Sequence, residues 1–211
     1  MMAKSGRKIA KSKGRSNPRM PRKDTMLAIA AAVVIAGGIT ISAFAFADPP
    51  DVAEQKQRIT TAYPTSAPVV DRLFALANTL GVKPEWIANV IQFESGWNPA
   101  SVNPNGGASG LIQFYPGSTD RALGTTVEAI RRMGVSQQFG LVERYFLGGA
   151  QHPSFAGKLK SQLDVFMAVF QPDAIGKGLW YAFSEGVRRN NPGILTASDY
   201  YNKAMSHARL V

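Results

Sequence analysis

The sequence contains no cysteine. Disulfide frameworks, thiolate metal sites and thiol nucleophiles are therefore excluded. Histidine is nearly absent too. His152 and His207 stand alone, without neighbours spaced as metal ligands. No glycine-rich loop has the spacing that cradles a phosphate, so no cofactor is implied. Strand signals are scarce. Acidic charge is also short at one end. Residues 1–24 hold nine Lys or Arg and one acid, leaving fifteen bases and thirteen acids for residues 48–211. Most of the net charge of +10 thus belongs to a tail, and the remainder is nearly neutral. A nucleic-acid-binding domain would need a basic face on the fold itself.

After that tail, "TMLAIAAAVVIAGGITISAFAFA" (residues 25–47) carries neither charge nor proline. About 20 apolar residues suffice to cross a bilayer as a helix. The cations before it predict a cytoplasmic N-terminus, with everything after Asp48 outside the cytoplasm. A membrane anchor is the favoured reading. The competing one is a secretory signal cut after Ala47, where "AFA" precedes "DPP". The basic arm is then an orientation signal that also touches anionic lipid, with DNA contact as a lesser alternative.

Residues 48–65 read as a polar linker with one helical turn at most. From Ser66 to Val211 the patterning is helical. Val69, Leu73, Leu76 and Leu80 share a face that Gly81 stops. "KPEWIANVIQFESG" opens with Pro84 at a first-turn position and ends before Gly96. "WNPASVNPNGGASG" is a loop or irregular hairpin. Capping boxes are expected at Thr125–Glu128, Ser161–Asp164 and Thr196–Asp199. The "SQQFGLVERYF" segment adds another helix. The fold class is mostly α: a helical domain with a small irregular insert after the Glu94 helix.

Glu94 is the unusual residue. The stripe Ile87, Val90 and Ile91 continues onto it, so its carboxyl should face the apolar side or its rim. Burial and the negative helix end both disfavour its ionised form. A carboxyl that keeps its proton near neutral pH suits a general acid. The plainer reading is a solvated residue slipping past the rim. Downstream, Gly106, Gly107 and Gly110 permit close backbone approach. Gln113 sits inside the apolar run "LIQF". It is placed either to read sugar hydroxyls and acetamides or to cap its own loop.

The stretch "ESGWNPASVNPNGGASGLIQFYPGST" resembles the signature of the soluble lytic transglycosylases of the lysozyme-like superfamily. Its elements are Glu94-Ser95, Trp97, Pro99, Gly106 to Gly110, Gly110-Leu111-Ile112-Gln113 and Pro116. The phage-associated branch is the most similar, and the likeness extends over roughly residues 68–180. It implies a lysozyme-like α+β fold and a peptidoglycan substrate. Glu94 would be the single catalytic acid, cutting the link between N-acetylmuramic acid and N-acetylglucosamine to leave a 1,6-anhydro end. Ser95 and Gln113 would position acid or substrate. Tyr115, Phe170 and Gln171 would line the groove. Three departures stand out. The glycine stretch is one residue longer, Ile112 replaces methionine, and Phe170 lacks a tyrosine hydroxyl that helps hold the acid. No second carboxylate can be assigned, since Asp120 and Asp173 both read as structural or solvent-facing. Two other functions fit the same residues: a hydrolytic muramidase, and a silent glycan-binding or assembly protein of a phage or cell envelope.

Overall fold

The computed structural model describes residues 50–149 and 153–210. The segment expected to span a membrane and the basic arm lie outside them. Among the described residues, no helix is long and apolar enough to cross a bilayer. The described chain falls within one compact unit beginning at Ala47.

The first element corrects the sequence reading. From residue 50 onward, the segment expected as a linker is helical. Pro50–Ala62 is a helix (α1), continued by a 3-10 helix over Pro64–Val69. Its buried stripe is short, essentially Ile59 followed by Tyr63 just past the helix end. Lys56 helps fasten it, through an ion pair of 2.7 Å to Asp71. A helix so polar shows little periodicity in sequence, and tertiary packing supplies what pattern lacks.

Next come α2 (Val70–Leu80) and α3 (Pro84–Ser95). Leu73, Leu76 and Leu80 are buried on α2, and Gly81 ends it at φ 72°. On α3 the buried residues are Ile87, Ala88, Asn89, Val90 and Ile91, and Gly96 ends it at φ 61°. Glycine tolerates this left-handed geometry; Trp97 at φ 62° also adopts it. What holds Trp97 there is burial. Its indole N–H donates to the Ala88 carbonyl at 3.2 Å, and its ring stacks on Tyr63. Two consecutive left-handed residues turn the chain sharply back past the end of α3.

The following loop is the expected irregular hairpin. Isolated antiparallel bridges join Val102 to Ser109 and Ser109 to Phe114. Two short helices follow, α4 (Thr119–Ala122) and α5 (Val127–Ile130). The cap of α5 is Thr126, not Thr125; its side chain accepts from Ala129 N. The start moves because the buried Asp120 carboxylate takes Val127 N at 3.2 Å, along with Arg121 N at 2.6 Å.

Among the described residues four more α-helices follow, α6 (Val135–Leu147), α7 (Gln162–Phe170), α8 (Glu185–Asn190) and α9 (Ala197–Met205), with a 3-10 turn over Pro172–Ala174 after α7. Ser161 caps α7 as expected, and Thr196 with Asp199 forms a capping box on α9. Asp164 serves elsewhere: its carboxylate accepts from Lys160 N and Gly176 N, tying together the chain on either side of α7. The helix α3 packs against α2, α7 and α9. It is the central element, and its C-terminal turn is thereby flanked by α7 and α9.

Two buried polar side chains hold distant segments together. Gln138 is fully buried on α6. Its Oε1 accepts from Leu111 N, and its Nε2 donates to the carbonyls of Pro99, Ile130 and Met133. A side chain at Gly110, which sits at φ 80°, would collide with Gln138 Oε1. The second hub is Tyr63. Its hydroxyl donates to Asn89 Oδ1 and accepts from Arg209 N at 2.8 Å, while Asn89 Nδ2 donates to the Leu210 carbonyl at 2.6 Å. Unmet buried groups are costly, so each hub fixes the segments it joins.

Candidate active site

Glu94 sits in the last turn of α3, at the edge of an open cleft of roughly 1290 Å³. That exceeds the ~300–1,000 Å³ of a small-molecule pocket and suits an extended chain. The stripe continues onto Glu94 as its spacing required. The residue is half-buried, opening into the cleft, yet its carboxyl is crowded by protein as densely as an interior group. The crowding governs: loss of hydration pushes its pKa from 4.5 up to about 7, against a smaller opposing pull from Tyr200.

Tyr200 is the partner that the sequence alone did not reveal. Its hydroxyl, carried on α9, donates to Glu94 Oε1 at 2.8 Å. Burial and the adjacent Glu94 charge hold its own proton well above the usual phenol range, so it remains a donor. Aromatic rings fix it in place. Phe170 stacks on it with centroids 4.0 Å apart and planes at 16°, and Phe93 meets it edge-on at 5.3 Å. The hydroxyl missing from Phe170 is thus supplied by the ring beneath which Phe170 lies. Tyr145 contributes a second constraint: its hydroxyl donates to the Ala168 carbonyl, and burial together with the Glu94 charge raises its pKa as well.

The structure brings most of the other expected residues to the cleft. Gln113, Tyr115, Phe170 and Gln171 all line it. Gln113 caps its own loop and also lines the cleft. It has φ 53°, and its Nε2 donates to Gly110 O at 3.1 Å. Tyr115 is 55% exposed, which leaves its ring face free for stacking. Ser95 is the exception: it does not line the cleft. Its hydroxyl bonds to the carbonyls of Ile91 and Leu111, so it fastens the end of α3 to the hairpin and can position Glu94 without touching a ligand.

Amides dominate the remaining polar lining, with Asn103 and Asn105 from the hairpin and Asn190 and Asn191 around α8. Each both donates and accepts, which matches the hydroxyls and acetamides of amino sugars. Glu94 is the single carboxylate lining the cleft among the described residues. Asp120 is buried as a cap, and Asp173 is exposed away from the cleft. No group of three His, Asp or Glu gathers into a metal-binding cluster among the described residues.

An acid that keeps its proton near neutrality, set in a long amide-lined cleft, has the make-up of a glycan-cleaving site. Residues 72–134 match the family model "Transglycosylase SLT domain", which places that segment with the lytic transglycosylases of the lysozyme-like superfamily. At the family level this is a glycan-cleaving domain acting on peptidoglycan. The matched segment includes Glu94 and the hairpin but ends before Tyr145, Phe170 and Tyr200. No curated protein and no solved structure gives a significant match.

Proposed function

We propose that this protein is a lytic transglycosylase in which Glu94 alone serves as acid and then base. The observation that carries the reading is the lone cleft carboxyl with a pKa near 7. Most glycosidases need two carboxylates, about 5–5.5 Å apart when retaining and ~6.5–9.5 Å when inverting. With one, the second partner must come from the substrate. Glu94 gives its proton to the glycosidic oxygen as the bond from C1 of N-acetylmuramic acid breaks. The resulting carboxylate takes the proton of that sugar's C6 hydroxyl as O6 bonds to C1. Glu94 ends protonated, a 1,6-anhydro sugar is formed, and no water is consumed. A pKa close to the working pH favours both transfers. The tethered hydroxyl supplies the proximity that a bound water would otherwise need. Tyr200 orients the carboxyl and stabilises its charged form between the two transfers.

The test is digestion of purified sacculi with product masses read out. The wild type should release muropeptides one water lighter than hydrolytic products, and Glu94→Gln should release none. Hydrated products would show that water attacks instead, and equal clearing by both proteins would remove Glu94 from the chemistry.

The apolar segment 25–47 and the cations before it support a membrane anchor that places this domain outside the cytoplasm, where peptidoglycan lies. Sequencing the mature N-terminus, with membrane fractionation, tests this. A chain beginning at Asp48 and free of membrane would refute it.

A further inference from the structure

The cleft holds one feature that the cleavage reaction does not use. Lys203 is the single cationic side chain among the residues lining it. It stands on α9 three residues beyond Tyr200, hence on the same helix face and about 4.5 Å further along the axis at 1.5 Å per residue. The residue is exposed, and no described acid pairs with its ammonium. Nor does it tune the catalytic acid, whose charge state is governed by burial and by Tyr200. While Glu94 holds its proton, Lys203 is the only full charge lining the cleft among the described residues. A lone cation in a groove of neutral amides focuses its field on whatever anion the groove receives.

We propose that Lys203 is a substrate-binding residue that pairs with a carboxylate carried on the lactyl arm of the muramyl sugar. This rests on peptidoglycan being the substrate. The lactyl ether is what separates muramic acid from glucosamine, and it ends in a carboxyl. On a strand stripped of peptide that carboxylate is free. On an intact strand it is amidated, and the anions are those of the stem peptide further out. The amides of the cleft recognise what both sugars share, and Lys203 recognises what only one carries. It thereby adds affinity for strands that carry the muramyl sugar.

The test measures equilibrium binding to the Glu94→Gln protein, which does not turn over, with and without Lys203→Gln. Three probes are used: peptide-bearing glycan strands, amidase-stripped strands, and neutral chitotetraose. Lys203→Gln should weaken one or both anionic probes by about three- to ten-fold, the range of an exposed to partly desolvated charge pair. Chitotetraose binding should stay unchanged, which also reports an intact fold. Lys203→Arg should retain the preference, and high salt should erase it. Whichever anionic probe loses more identifies the carboxylate. In turnover with Glu94 restored, Lys203→Gln should raise KM while leaving kcat nearly intact. An equal loss on chitotetraose, or no loss on either anionic probe, overturns the proposal. A wild type that binds these strands but releases no anhydro product sinks the cleavage reading alone.

Discussion

Replacing Glu94 with Gln removes the group that burial keeps protonated, and the consequence for stability depends on pH. In the unfolded chain the carboxyl titrates at about 4.5, and in the folded one at about 7. Between those values the native state binds the extra proton, so stability falls as pH rises. Below the lower value there is no penalty, and above the upper one it is complete. A shift of 4.5 to about 7 corresponds to roughly 3 kcal/mol at ~1.36 kcal/mol per unit, with water in the open cleft reducing it. Glutamine keeps the shape and the acceptor for Tyr200 without the charge. Glu94→Gln should therefore be the more stable protein at about pH 8, and by about pH 4 the two should converge. At ~2–4 °C per kcal/mol for a unit of this size, the alkaline Tm gap is about 6–12 °C. Thermal unfolding of both proteins across that pH range reads it directly. A gap that does not vary with pH, or a wild type that is the more stable at alkaline pH, refutes the reasoning.

Two other substitutions probe the supports of the site. Tyr200→Phe removes the hydrogen bond that favours ionised Glu94, so the alkaline limb of the activity profile should move to higher pH. Its maximal rate should fall, up to about a hundred-fold for a misplaced acid; a limb that moves to lower pH contradicts the assigned role. Gln138→Leu strands the Leu111 N–H and the carbonyls of Pro99 and Met133 in the interior, while the Ile130 carbonyl keeps Met133 N. The expected cost is about 3–5 kcal/mol, at ~1–3 kcal/mol per unmet group with partial relaxation, read from the urea midpoint. A loss below about 1 kcal/mol would mean that water replaces the amide.

Much of this fold is legible in its local chemistry. Gly81 and Gly96 mark helix ends because the left-handed turns after α2 and α3 favour glycine. Thr196 and Ser161 mark helix starts because they cap the first turn. The placement of Glu94 follows from helical spacing alone. The partner of the acid is illegible because of distance. Tyr200 is 106 residues from the carboxyl it holds, and nothing near either residue encodes that meeting. The "DYYNK" segment does read as helix, with Ala197, Tyr200 and Ala204 as its buried face, but that face does not name its partner. The α1 helix was missed because its hold on the core rests on two buried side chains and an ion pair, too few to register as a pattern. Of the two roles expected of Ser95, positioning acid or substrate, its bonds suit the first: it satisfies backbone carbonyls, a common fate of a serine at a helix end.

The clasp at Tyr63 and the bond from Tyr200 have a bearing on when the cleft is assembled. The acid is translated early, at residue 94, but its restraint arrives at residue 200 and the clasp that shuts the fold at residues 209 and 210. A chain folded only through residue 190 would therefore carry the cleft carboxyl without the phenol that holds it and without the clasp. The site as proposed is complete only once α9 docks against α3.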